Sequence, residues 1–196
     1  MSLKSKLVSS YLAFDDHLDD NSPIHDIRKK AIDTFEEKGF PTKKEEDWKY
    51  TSLNAIINKD YSIASKGDKK IKYEKVREYF LHDIDSYKVV FIDGVFSSFL
   101  SETSHDGLDV CLLSSVLSKE KYKAIIEAYY NKIASKDSIT SLNTAFAKEG
   151  AYINIPNNKE VDKPIEIINF STGNETALMM QPRNLIIVGE NAHVQI

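Results

Sequence analysis

Few side chains in this chain could do chemistry, and they are scattered. The single cysteine, Cys111, lies in the apolar run Val110-Cys111-Leu112-Leu113. A thiol in such a setting behaves as a small hydrophobe rather than an activated nucleophile, so the run predicts core packing. One cysteine closes no intramolecular disulfide and builds no cysteine-ligated metal centre, which agrees with a reducing compartment. His25, His82, His105 and His193 are far apart in sequence and form none of the close pairings that chelate a metal. His193, set between Ala192 and Val194, is predicted to point away from the core as a surface histidine. Asp15, Asp16, Asp19 and Asp20 surround His17 with ligand-capable groups. They lack the glycine turn and ligand spacing of a calcium loop, and read as a solvated helix end. The seven glycines are isolated from one another. A phosphate-cradling loop needs them closely spaced, so that backbone amides can reach the anion. No catalytic, cofactor-binding or metal-binding residue is therefore assigned, and the chain is expected not to be an enzyme.

Aromatic residues raise a different possibility. Trp48, flanked by Lys44, Lys49 and Tyr50, could anchor a partner surface, because buried Trp and Tyr dominate interface energetics. The favoured reading is that Trp48 and Tyr50 tuck their irregular segment onto the domain.

Composition sets the frame for these residues. A chain of 196 residues with 41% hydrophobic and 29% charged side chains is that of a globular protein with room for one domain, or one domain and part of a second. The longest apolar runs, Val89-Val90-Phe91-Ile92 and Leu185-Ile186-Ile187-Val188, are strand-sized and far short of the roughly 20 residues that span a bilayer. The first residues contain no apolar leader, and the expected location is the cytoplasm. A net charge of -4 gives no long-range attraction for nucleic acid or an anionic membrane. The basic stretch at 66–75, with Lys69, Lys70 and Lys72, is crossed by Asp68 and Glu74 and reads as a solvated loop and strand edge.

Periodicity predicts the elements. Leu3, Leu7, Tyr11 and Phe14 recur at helical spacing. Ser22 and Pro23 read as N-cap and first residue of a helix over 23–38, with Ile24, Ile27, Ala31 and Phe35 as its stripe and Gly39 as its end. Residues 43–57 are read as irregular. Residues 87–100 read as a hairpin with strands at 89–92 and 95–100, turned by Asp93-Gly94 in type I′ geometry. A helix over 118–134 places Tyr122, Ile125, Ile126, Tyr129 and Ile133 on one face, and a shorter one covers 138–147. After Gly150 the pattern changes to short alternating strands: Ala151-Ile153-Ile155, Ile165-Ile167, Leu185-Ile187 and Ala192-Val194-Ile196 point inward. Tyr152, Asn154, Glu166, His193 and Gln195 point outward. Strands without intervening helices fit a sandwich or the first coils of a solenoid, and periodicity leaves that choice open.

Three stretches then carry a resemblance. Lys44-Glu45-Glu46-Asp47-Trp48-Lys49-Tyr50-Thr51-Ser52-Leu53 is similar to the EEWKYT-x-L segment of SufD proteins, and Phe91-Ile92-Asp93-Gly94-Val95-Phe96 to their F-V/I-D-G-x-F hairpin. Leu142-Asn143-Thr144-Ala145-Phe146-Ala147, running through Gly150 to Ile155-Pro156-Asn157, resembles the segment that opens the β-helix of SufB and SufD. Lys163-Pro164-Ile165-Glu166-Ile167 and residues 181–188 follow in the same style. The match runs over about 40–196, and the tryptophan segment favours SufD over SufB.

The resemblance implies an α+β fold. An N-terminal mixed helical and small-sheet domain over 1–150 would be followed at 151–196 by the first coils of a right-handed parallel β-helix, truncated. It implies a non-catalytic scaffold subunit of the SufBCD complex, with SufB and SufC as partners. The iron–sulfur cluster belongs to the assembled complex, and no cofactor is expected in this fragment. The family's helical C-terminal domain, which binds SufC, and its late Cys and His positions lie beyond the sequence, so no functional residue carries over. A strand pattern that stops at Val194-Gln195-Ile196 leads to the expectation of a fragment in which 151–196 is either poorly ordered or ordered as a homodimer through its open β-helix end. A β-helix enzyme acting on a polysaccharide is the rival reading. It is disfavoured because the outward positions offer one carboxylate and no acid–base pair.

Overall fold

The computed structural model describes residues 1–15, 22–63, 71–102, 109–133, 137–173 and 177–196. Its helices are α1 (Leu3–Asp15), α2 (His25–Lys38), α3 (Asn54–Ile57), α4 (Tyr73–Val76), α5 (Leu113–Leu117), α6 (Lys123–Tyr129) and α7 (Ser138–Phe146). Its strands are β1 (Ser62–Ile63), β2 (Tyr87–Ile92), β3 (Val95–Phe96), β4 (Asp109–Leu112), β5 (Ala151–Ile155), β6 (Ile165–Phe170), β7 (Leu178–Met179) and β8 (Leu185–Val188). They divide into two compact units. One comprises Met1–Ser62, Leu117–Ala147 and Glu175–Gln181, the other Ile63–Val116, Lys148–Asn174 and Pro182–Ile196.

The first unit is helical. Leu3, Leu7 and Tyr11 of α1 are buried as their spacing predicts, and α2 buries Ala31, Ile32 and Phe35 while packing mainly on α7. Tyr11, Phe14 and Phe146 form an aromatic cluster, with Tyr11 edge-on to Phe146 at 5.8 Å. The stripe of α2 also contains Arg28, which the apolar pattern does not reveal. Arg28 is buried, and its Nη2 donates to the Ala147 carbonyl at 2.6 Å. A cation there satisfies one of the carbonyls that a helix end leaves without an intrahelical donor. Asp137 caps α7, its carboxylate accepting from the backbone N–H of Thr140 at 2.9 Å and from that residue's hydroxyl at 2.6 Å.

Three expectations for these helices change. The N-cap of α2 is Ile24, fully buried, and Ser22 makes no side-chain cap. Its carbonyl instead accepts the His25 N–H in a turn. The helix expected over 118–134 is a 3-10 turn at Glu120–Tyr122 followed by the short α6. The chain leaves the helix at Tyr130, whose ring is buried, and Asn131 takes a left-handed φ of 60°. That break leaves Tyr129 54% and Ile133 99% exposed, so neither belongs to the inner face, which Tyr122 and Ile126 supply. Residue 134 lies outside the described residues.

In the second unit two three-stranded sheets, ordered β3-β2-β6 and β4-β5-β8, share one core. Val89, Phe91, Val110, Ala151, Ile153, Ile155 and Ile165 fill it. The other face of β2, Val90 and Ile92, packs with Val76, Phe80 and Leu100. Burial on both faces explains why residues 89–92 of β2 read as an unbroken apolar run. The Asp93-Gly94 turn has φ of 49° and 79°, the two positive values a type I′ turn requires, and Ile92 pairs with Val95 across it. The return strand is shorter than expected. Beyond Phe96 the chain turns, and the Ser101 hydroxyl accepts the Val90 N–H at 2.8 Å in place of a strand carbonyl.

Ala151, Ile153, Ile155, Ile165 and Ile167 face this core as expected. Tyr152 does not face outward. It is fully buried because both faces of β5 are covered. The protein is thus mixed α/β with small sheets, and these strands alone do not amount to a right-handed parallel β-helix.

Burial sets the expected cost of truncation in the first unit. Phe35→Ala should cost about 3–5 kcal/mol and Ile126→Ala about 2–5. Half-buried Ile125 should cost less, and Ile133→Ala should stay within about 0.5. Urea unfolding curves that rank Ile133 with Ile126 would overturn the assignment of the inner face.

Candidate functional site

Two passes of chain in the second unit lie parallel in a constant register. Tyr152 pairs with Leu185, Ile153 with Ile186, Asn154 with Ile187 and Ile155 with Val188, each 33 residues apart. The same offset continues past the strands, where Glu160 bridges His193 in parallel and the Asn158 N–H donates to the Glu190 carbonyl at 2.8 Å. At the corner this register stacks like on like. Asn158 and Asn191 both adopt left-handed φ, 59° and 53°, and the Asn191 side-chain amide donates to Asn158 Oδ1 at 3.2 Å. Asparagine accepts that conformation better than most residues because its short side chain bonds locally.

Close approach of the two passes depends on two glycines. A Cβ on Gly150 would sit 1.7 Å from the Arg183 carbonyl oxygen, and one on Gly189 would meet Asn157 Oδ1 at 2.4 Å. Asn184 Oδ1 accepts the Ala151 N–H at 2.9 Å, and the Arg183 N–H donates to the Glu149 carbonyl at 3.0 Å.

The stack corrects one sequence reading. Residues paired across a parallel ladder share a face, so Ile186 and Val188, not Leu185 and Ile187, continue the inner column of Ile153 and Ile155. A one-residue slip reverses every side chain of a strand. Ile186 and Val188 are 38% and 46% exposed, leaving the column uncovered on the β8 side. Ala192 and Val194 do pack against the core, as predicted, and His193 is exposed.

The residues singled out for chemistry stay apart. Cys111 is half-buried on the face of β4 opposite Val110, with Sγ 3.7 Å from Asp109 Oδ1, so Val110 rather than the thiol fills the core. His25 is half-buried at the start of α2, and His82 is exposed. His105 and the acidic residues Asp16, Asp19 and Asp20 with His17 lie outside the described residues, as do Lys66, Asp68, Lys69 and Lys70. Among the described residues no three His, Cys, Asp or Glu side chains gather to hold a metal. No described helix is long and apolar enough to cross a membrane. Trp48 is half-buried in a 3-10 turn, whereas Tyr50 is 91% exposed, with the Lys49 ammonium 5.5 Å from its ring centre, so Tyr50 does not tuck in.

One carboxyl in the second unit is perturbed. Burial holds the Glu149 carboxyl above its ordinary range, opposed by a 2.9 Å hydrogen bond from the Ser114 hydroxyl and by the nearby Lys148 charge. In sequence Gly150 marks the point where the strand pattern begins and Asn158, Gly189 and Asn191 read as turn residues; what the sequence reading missed is that they stack. The signal was the correspondence of 152–161 with 185–194 at a fixed spacing.

Comparison with known proteins bears on the whole chain. The family model for the SufBD protein N-terminal region matches residues 1–167. An iron–sulfur cluster assembly SufBD family protein of Synechocystis sp. is 26% identical over 178 residues, which cover 90% of this chain and 39% of that protein. The chain therefore spans about two-fifths of the length of this curated relative.

Two outcomes follow from the stack. Gly150→Ala should destabilise by about 1–3 kcal/mol or more, because the added methyl meets backbone, and should speed amide exchange at 185–188. Asn158→Ala should cost about 1–2 kcal/mol and Asn158→Gly less. Unchanged exchange in Gly150→Ala would show that the passes need no such approach. The raised Glu149 carboxyl makes a separate, signed prediction. Its stabilising proton is bound below the ordinary value of 4.5 and is lost as pH rises through the raised folded value, so stability falls across that window. Glu149→Gln should flatten this slope and be the more stable form at neutral pH, as read by pH-dependent thermal melts; an unaltered slope would contradict it.

Proposed function

Since the chain belongs to the SufBD family, we propose that it serves in iron–sulfur cluster assembly as a SufD-type, non-catalytic scaffold subunit of a SufBCD complex in the cytoplasm. The observation that carries this reading is the family match over residues 1–167, joined to a relative whose own name places it in iron–sulfur cluster assembly. The tryptophan segment at 44–53 supports SufD in particular. The parallel stack supports reading 151–196 as the opening coils of a right-handed β-helix that follows an N-terminal domain over 1–150. Its constant offset, stacked asparagines and uncovered Ile186 and Val188 are what a solenoid needs, since each coil buries its inner column only against the next. By the family resemblance SufB and SufC are the partners, and the cluster is held by the assembled complex. Pairing of two copies through the open β-helix end is the corresponding expectation for the chain by itself.

Co-expression of the full-length protein with SufB and SufC tests the proposal. The three should co-elute as one complex, residues 1–196 alone should lose most SufC affinity, and the isolated chain should neither hydrolyse ATP nor take up a cluster on anaerobic reconstitution. A full-length protein that elutes alone would overturn the scaffold role, and undiminished SufC binding by 1–196 would move that contact into this chain.

A further inference from the structure

A cleft of about 690 Å³ opens in the second unit beside β2, walled by Tyr73, Arg77, Phe80, Leu81, Ile84 and Lys88. That volume is typical of sites for small organic ligands. Its shape is held in place. Glu166, on β6, clamps the loop that forms the rim, one oxygen accepting the Leu81 N–H at 3.1 Å and the other the Ser86 hydroxyl at 2.9 Å. Its cations are not in excess, but they lack carboxylate contacts among the described residues. Asp85 pairs with Lys163 at 2.7 Å, while Asp83 makes no ion pair among the described residues and Glu166 is bonded to neutral donors. Two cations accompany these carboxylates. Arg77 is exposed and makes no ion pair among the described residues, and the Lys88 ammonium donates to the carbonyl and hydroxyl oxygens of Ser86, both neutral, at 3.1 Å.

The apolar half of the cleft is part aromatic and part aliphatic. Tyr73 and Phe80 meet edge to face at 6.1 Å, and Tyr73, Leu81 and Ile84 are 45%, 54% and 44% exposed. The Lys88 ammonium lies 5.8 Å from the Phe80 ring centre, so the cationic and aromatic parts adjoin. A cleft with two cations free of carboxylate contact among the described residues, beside the exposed Tyr73 ring, offers donors to an anion and a face to a ring.

We propose that this cleft binds a small organic anion, a phosphate or carboxylate head on a flat ring, with the head at Arg77 and Lys88 and the ring against Tyr73. A guanidinium pairs with either head through two parallel hydrogen bonds, and an aromatic wall favours a planar body over an aliphatic one. The inference does not rest on the assembly role, and either can fail without the other.

Calorimetric titration of this chain with adenosine 5′-monophosphate and, separately, indole-3-acetate tests it, the two probes separating phosphate from carboxylate. At least one should bind saturably below millimolar concentration. Arg77→Gln and Lys88→Gln should each weaken it about tenfold or more, the scale of one charged hydrogen bond, while Lys119→Gln leaves it unchanged. Adenosine and inorganic phosphate, each lacking half of the ligand, should bind about tenfold more weakly. Saturation by neither probe overturns the proposal. So does binding indifferent to Arg77→Gln, whose exposed side chain can be changed without disturbing the fold.

Discussion

Strand β2 is the member that the second unit cannot spare, because its two faces belong to two different cores. Val89 and Phe91 pack with Ala151, Ile153 and Ile155 of the opposite sheet, and Val90 and Ile92 with Val76, Phe80 and Leu100. Over residues 89–92 such a strand tolerates polar residues on neither face, and its ladder must be paired on both edges. The antiparallel return β3 fills one edge and the parallel β6 the other, from Tyr87 with Ile165 to Ile92 with Phe170. The rest of the unit hangs on that pairing. β6 carries Glu166 to the rim of the cleft, and Asp93, at the end of β2, accepts the Thr172 N–H and hydroxyl at 2.9 and 2.6 Å, tying down the chain that follows β6.

The stack of β5 and β8 follows a different rule. Parallel passes at constant offset place each residue directly above its counterpart, so each position must suit the one stacked on it. Asparagine over asparagine at the corner and isoleucine over isoleucine in the column both satisfy it. Glycine enters where the backbones crowd, and there for lack of space, not for turn geometry. Glycines spaced too widely to hold a phosphate are well placed to let two strands touch.

Much of this was legible in the residues. The helix of 3–15, the stripe of α2, the Asp93-Gly94 turn and the inward alternation of 151–155 came from periodicity and turn chemistry, which are local. What escaped was set by tertiary partners. Leu185, Ile186, Ile187 and Val188 are all apolar, so alternation could not choose a face, and only the pairing with 152–155 decides it. Tyr130 ends α6 because its ring is buried, which no pattern within the helix announces. Arg28 sits in an apolar stripe because a carbonyl 119 positions away in sequence needs a donor. The cleft was invisible for the same reason: Arg77 and Lys88 are ordinary surface cations in sequence until the fold gathers them along one cleft.

The distance along the chain between β2 and β6 has a kinetic meaning. Tyr87 meets a partner 78 residues later, and β4 waits about half as long for β5. Closing such loops costs entropy before any contact repays it, and domains dominated by non-local pairing fold in milliseconds to seconds rather than microseconds. On a ribosome adding roughly 5–20 residues per second, Val89-Val90-Phe91-Ile92 emerges several seconds before Ile165-Glu166-Ile167. During synthesis it is an apolar, β-prone segment with one short hairpin arm for company. This makes the newborn chain a natural client for chaperones that hold such segments apart until the second half arrives.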